Sequence, residues 1–395
     1  MSKPLFLKRY LNSRSTFFLM FVSLFLITCG DNKDNTPEIS KTSIDWISAA
    51  DSSSFSLIIN YWSASTHHFN NDHFGNIGQY DYWPEAHGLD VLVDAYTRTG
   101  NPTYQSAIYD FHEGVKAKNG NRFWNNFYDD MAWHGLAHLR AFEATGDIRY
   151  EQSAKDLWAW ILEGWNSYDG GGIPWNHDNT PEGRSKGVPS NGPAAIIAAR
   201  RWQKYGDSEI IQGRNNSTWL AMIYRWIKDN RVETQSGRVF DSKNDKGGDW
   251  TYNAGTFIGA ALEYYEITGE KSYLNDAVKT ADWAISTLTN TNNNVLSDWA
   301  EQQDHDVNLF KGIFVRYFTQ LILNEDLPES TRRRYINFMK NSAEYLWTQG
   351  TQKNPVLLFG YHWWEKPNHI AFLRAQLSGC MMMEAMALLQ KEDMI

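Results

Sequence analysis

Cysteine is nearly absent from this 395-residue chain: Cys29 and Cys380 are the only two. Cys29 closes an amino-terminal leader, so the body of the chain keeps only Cys380. An intrachain disulfide and a Cys-based zinc site are both excluded there. Within "SGCMMMEAM", Cys380 reads as a buried helix residue. Positive charge is also scarce. The net charge is −9, and Lys3, Lys8, Arg9 and Arg14 all lie in the leader; without residues 1–28 the balance is 33 Lys+Arg against 46 Asp+Glu, or −13. Nucleic acid is thereby excluded as a partner, because phosphate binding needs the opposite sign. The apolar run from Phe17 to Ile27 follows those four basic residues. It is too short to span a bilayer and reads as the core of a secretory signal.

That run ends at Leu26-Ile27-Thr28-Cys29, which resembles a bacterial lipoprotein box, although Thr28 stands where Ala, Gly or Ser is usual. The resemblance implies a signal peptide over 1–28, a lipid on Cys29 and a flexible polar tether over 29–43. It also implies anchoring to the bacterial cell envelope, expected at the outer membrane. The alternative is an ordinary cleaved signal with an incidental cysteine.

Aromatic residues are abundant, with 18 Trp, 20 Tyr and 20 Phe. Sugar rings stack on flat aromatic faces, and the same residues also fill helix interfaces. A phrase recurs along the chain: "YTRTGNPTYQSA", "FEATGDIRYEQSA", "WQKYGDSEI", "YEITGEKSYLNDA" and, more weakly, "LILNEDLPESTRRRY". Each joins an apolar helix to an amphipathic one through a short turn, where Gly serves as the helix C-cap. Such a repeat, at roughly fifty to sixty residues, marks stacked helical hairpins. The helices predicted before each turn are Glu85–Thr99, Asp129–Thr145, Ser190–Tyr205, Ala254–Thr268, Asn308–Asn324 and Ile370–Gln390. They are apolar or small around most of their circumference, as enclosed helices are. The helices after the turns, with a first one near Ile44–Trp62, keep a polar face. Six inner and six outer helices predict an all-α (α/α)6 barrel over 44–395. The turns from inner to outer helices are a few residues long, whereas the return connections, such as Gly164–Pro189, Asp229–Asn253 and Gly350–His369, are long and aromatic. Function is expected on the face that carries those loops, where every inner helix begins.

Asp129 and Asp130 lie on that face, in "NNFYDDMAWHGL". An Asp at a helix start can be a cap and nothing more. At a cleft, one carboxylate can stay ionised beside the helix N-terminus while its charge raises the proton affinity of the other. Neighbouring helix residues can hold carboxyl groups at about the 5–5.5 Å of a retaining glycosidase.

"FYDDMAWHGLAHLRAFEATGD" resembles the hallmark segment of glycoside hydrolase family 76, the bacterial and fungal endo-α-1,6-mannanases. "YWPEAHGLDVLVDAYTRTG", "GGGIPWNHD", "PSNGPAAIIAARRW", "WTYNAGTFIGAALEYYEITG" and "LFKGIFVRYF" resemble its other segments in the same order. The resemblance implies an (α/α)6 barrel, α-mannan or an α-mannooligosaccharide as substrate and no cofactor, with Asp129 as nucleophile and Asp130 as acid/base. The substrate-binding candidates are Trp175, Asn176, His177 and Asp178 in one Gly-rich loop, with Tyr128, Trp133, Asn191, Trp250, Tyr252, Asn253, Lys311 and Arg316 through their segments. Of these, Trp133 and Arg316 lie at least one turn inside their helices and are the ones that read most readily as structural. Pro174 and Ala254 stand where the family leads one to expect Trp and Gln, and both positions are expected to face the sugar. His134 and His138, at i, i+4, lack the Glu of the zinc-protease pattern, so no metal is expected. A monomer is expected. Two other readings stay open: an unsaturated glucuronyl hydrolase or lyase on the same barrel, and a non-catalytic glycan-binding surface lipoprotein.

Overall fold

Two kinds of helix alternate along the chain, and they differ in how much of their circumference is buried. The computed structural model describes residues 43–75, 80–243 and 248–395; Cys29, the leader and the tether up to residue 42 lie outside them. Asp45–Ile395 forms one unit. Its inner helices are α2 (Tyr82–Thr99), α4 (Tyr128–Thr145), α6 (Val188–Tyr205), α8 (Thr251–Thr268), α10 (Val307–Leu323) and α12 (Leu373–Lys391). Its outer helices are α1 (Trp46–Tyr61), α3 (Pro102–Lys118), α5 (Ile148–Glu163), α7 (Asn216–Arg231), α9 (Lys271–Thr287) and α11 (Glu329–Thr348). The inner α12 buries 16 of its 19 residues, while the outer α9 buries six of 17 along one stripe. That contrast sorts the helices into two layers.

The inner helices pack in chain order and α12 returns to α2, which closes the ring; α3, α5, α7 and α9 lie on the inner helices that precede them, and α1 lies on α12. The fold is an (α/α)6 barrel. Close approach in the inner ring depends on small residues. A Cβ on Gly255 of α8 would stand 2.6 Å from the Phe314 Cα of α10. Ion pairs also stitch the ring: Arg316 of α10 donates to Asp94 of α2 at 2.8 Å, and Arg140 of α4 pairs with Asp90 and Asp94.

Gly100, Gly146 and Gly269 end α2, α4 and α8 with φ of 66°, 73° and 71°, each returning its N–H to a carbonyl four residues back. One inner-to-outer turn departs from the short pattern. Between α6 and α7 the chain makes a small hairpin, β3 (Ile210–Ile211) with β4 (Arg214–Asn215). Two other short pairs, β1 (Trp62–Ser63) with β2 (His68–Phe69) and β5 (Thr351–Gln352) with β6 (Leu358–Phe359), lie in return connections. Several inner helices begin two or three residues earlier than the periodicity predicts. The last begins later, at Leu373, because Ala371 and Leu373 bond to His73 and Asn71 in extended form. Among the described residues no helix is long and apolar enough to cross a membrane.

Candidate active site

Outer and inner helices start differently. Asp45, Asn101, Asp147 and Asn215 cap four outer helices through their side chains, whereas none of the six inner helices has a side-chain cap bond. The N-cap of α4 is Phe127, so Asp129 and Asp130 stand in its first turn and do not cap it. Backbone N–H groups at the inner helix starts are thus left to favour negative charge nearby.

Five of those helix starts line one cleft of about 490 Å³. Asp81 and Trp83 come from the start of α2, Phe127, Asp129, Asp130 and Trp133 from α4, Pro189 and Ser190 from α6, Tyr252 from α8, and Asp306 and Phe310 from α10. The return loops add Trp175, Glu182, Ser185, Asp241 and Ser242. A second hollow, lined by Trp124, Asn125, Asn126 and Tyr80, adjoins it across Asp81, Phe127 and Asp130. No Lys or Arg is among the described residues lining the first cleft. Arg374 of α12 lies against the wall, pairing with Asp81, with Asp306 at 2.9 Å and with Asp304 at 3.2 Å.

The two neighbouring aspartates experience different fields. Burial pushes the Asp129 carboxyl up to about 7; the amides of Asp130 and Asp129 and the Trp175 side chain pull the other way, and Asp241 adds to the rise. Asp130 is pushed well above the carboxylate range by burial and by the charges of Asp129, Asp81 and Asp306. The pair titrates as a unit, and its first proton leaves more readily from Asp129. Two carboxyls split in this way supply an anion and a proton donor side by side.

Of the other candidates from the sequence, Trp133, Trp175 and Tyr252 line the cleft with the pair. Trp175 is 36% exposed and leans on Phe127 at 5.0 Å. Tyr252 stacks flat on Phe310 at 3.8 Å and donates to Asp241 at 3.1 Å. Trp250 sits one layer back, stacked on Trp299 at 4.8 Å. Asn253 donates to Asp241 at 2.8 Å and holds that carboxylate at the wall.

The remaining candidates do not line the cleft. Asn191 is a clasp, accepting from the Ile173 amide at 2.8 Å and donating to the Ile173 and Gly187 carbonyls. Tyr128 stacks on His177 at 4.2 Å, and Asn176 accepts from the Asp178 amide at 2.8 Å. His177 and Asp178 fasten to Asn126. Tyr128, His177 and Asp178 thus secure the Trp175 loop to the start of α4, and Asn176, whose side chain braces the loop internally, joins it through a backbone bridge to Phe127. Lys311 is buried on Glu301 and donates to the Tyr361 carbonyl. Arg316 belongs to the ring stitching. Pro174 and Ala254 are buried and are not among the lining residues, contrary to the expectation that they face a sugar: their segments touch the cleft through Trp175 and Tyr252 instead. His134 and His138 bond to the Tyr82 carbonyl and the Ser153 hydroxyl, and among the described residues no group of three His, Cys, Asp or Glu is placed to hold a metal.

Sequence reasoning missed Asp81, Trp83, Phe127, Asp241, Asp306 and Phe310. Asp81 and Asp306 had a signal, since each directly precedes an inner helix. Asp241 sits in a long loop and had none.

Known proteins match this arrangement along nearly its whole length. Residues 45–395 match the family model described as glycosyl hydrolase family 76. An α-1,6-mannanase of Salegentibacter sp. HEL1_6, solved as an inactive variant of two consecutive aspartates in complex with α-1,6-mannotetrose, is 38% identical, with a TM-score of 0.80 over 88% of this chain and 100% of that one. A Listeria innocua protein is 31% identical, with a TM-score of 0.78 over 88% and 99%. A family 76 mannosidase of Bacteroides thetaiotaomicron is 20% identical, with a TM-score of 0.72 over 88% and 99%, and shares the fold. With a family match from the first helix of the barrel to the final residue, this chain belongs to glycosyl hydrolase family 76 and is a glycoside hydrolase.

Proposed function

We propose that this enzyme cleaves α-1,6-mannosidic linkages in α-mannan with retention of configuration, by double displacement at Asp129 and Asp130. The observation that carries the reading is the placing of both carboxyls, side by side in the first turn of α4, in the lining of a single cleft between five helix starts; burial and the neighbouring charges of Asp81 and Asp306 favour keeping Asp130 protonated. Asp129 attacks the anomeric carbon and forms a glycosyl ester while Asp130 gives its proton to the departing oxygen. Asp130 then takes a proton from water, and the resulting attack on the anomeric carbon releases Asp129. The Salegentibacter α-1,6-mannanase supports the assignment, because its inactive variant replaces two consecutive aspartates, and Asp129-Asp130 is the only Asp-Asp in this sequence. Charge supports the substrate class: among the described residues the wall bears Asp81, Glu182, Asp241 and Asp306 but no Lys or Arg, and Arg374 behind it is engaged by Asp81 and Asp306, which suits a neutral sugar and opposes the uronates of a lyase.

The test is a pair of variants. Asp129→Asn should abolish turnover on every substrate. Asp130→Asn should spare substrates whose leaving group departs unprotonated, with the glycosyl-enzyme accumulating. Wild-type rates in a folded Asp129→Asn protein would reject the assignment. We propose further that the enzyme is held at the outer membrane by a lipid on Cys29, a reading supported by the leader and lipoprotein-box sequence, and that it works as a monomer.

A further inference from the structure

Trp299 is the most exposed of the large apolar side chains among the described residues, at 72%. It is not loose. Its ring lies against Trp250 at 4.8 Å and 21°, Trp250 meets Phe310 at 5.8 Å, and Phe310 lines the cleft with Tyr252 stacked on it. An aromatic path thus runs from the aspartate pair outward and ends on an open indole face.

The segment carrying Trp299 is pinned on both sides. Asp298, before it, accepts from the Thr251 amide at 2.8 Å and hydroxyl at 2.6 Å, at the start of α8. Glu301, after it, is buried on Lys311 and accepts from His362 at 2.8 Å. Leu296 donates to Ser342 on α11. An apolar ring left in water forgoes the stabilisation of burial, yet here the backbone around it is fixed so that the ring stays out. A ring held in place loses little freedom when something stacks on it. One indole is far smaller than the roughly 1,000 Å² of a protein interface, and its continuity with the cleft fits an occupant that also occupies the cleft.

We propose that Trp299, backed by Trp250, is a distal platform for a mannosyl unit remote from the bond being cut, which makes the enzyme select long α-1,6-linked chains. The proposal rests on the α-mannan reading above. Only a substrate that reaches past Phe310 touches this ring, so its effect grows with chain length.

The experiment compares kcat/KM for α-1,6-mannotriose and α-1,6-mannohexaose in the wild type and in Trp299→Ala and Trp299→Phe. Trp299→Ala should lower the preference for the hexaose over the triose by about three- to tenfold, the scale of one lost aromatic contact. The change should lie in KM, and Trp299→Phe should restore most of it. An unchanged preference, or an equal loss on both substrates together with a lower melting temperature, would overturn the platform and leave the α-mannan reading standing. A wild type that cleaves neither substrate would overturn the α-mannan reading, and the platform with it.

Discussion

Asp129 and Asp130 are chemically identical and share one helix turn, so the difference between them comes from their surroundings. Asp129 has the helix amides and Trp175 on its side; Asp130 faces Asp129, Asp81 and Asp306. Activity that needs the first ionised and the second protonated rises with pH as the pair loses its first proton and falls as it loses the second. With Asp129 pushed up to about 7, the acid limb of kcat/KM is expected near neutrality. In Asp130→Asn, assayed with a leaving group that needs no proton, the alkaline limb should disappear while the acid limb stays. A surviving alkaline limb would assign it to another group. At this scale the sequence spoke clearly of the pair and hardly at all of its partners. Asp241 approaches Asp129 only because the chain after α7 folds back, with Val232 pairing with Val239, and nothing near it in the chain announces that.

At the scale of elements, the alternation of enclosed and half-exposed helices was legible because burial on all sides and burial along one stripe leave different residue patterns. Side-chain direction was not. A motif segment says that a helix borders the site, but neighbouring residues on it point 100° apart, so Lys311 and Asn191 turned out to hold loops while Phe310 faces the cleft. Arg316 shows the energetic side. Burial pushes Asp90 up, and Arg316 and Arg140 outweigh it and hold that carboxyl below the usual range. Arg316→Met leaves Asp90 and Asp94 to Arg140 alone and should cost about 1.5–3 kcal/mol in denaturant unfolding, the scale of a lost hydrogen bond to a charged group. KM for a mannooligosaccharide should not change. A raised KM with unaltered stability would return Arg316 to the substrate.

For the molecule as a whole, the acidic cleft matches an acidic chain. The net charge of −13 without the leader repels anionic polysaccharides and leaves recognition to aromatic faces and hydrogen bonds. The proposed lipid on Cys29 would keep that catalytic unit beside the cell envelope. Cys29→Ala should move the enzyme from the membrane fraction to the soluble one; unchanged fractionation, with an unlipidated N-terminus by mass spectrometry, would dismiss the anchor. The central claim concerns the stereochemistry that adjacent carboxyls impose, and one measurement addresses it directly: proton NMR of the first sugar released from unbranched α-1,6-mannan, recorded before mutarotation. Double displacement at Asp129 predicts the α-anomer as first product, and initial release of the β-anomer would contradict it.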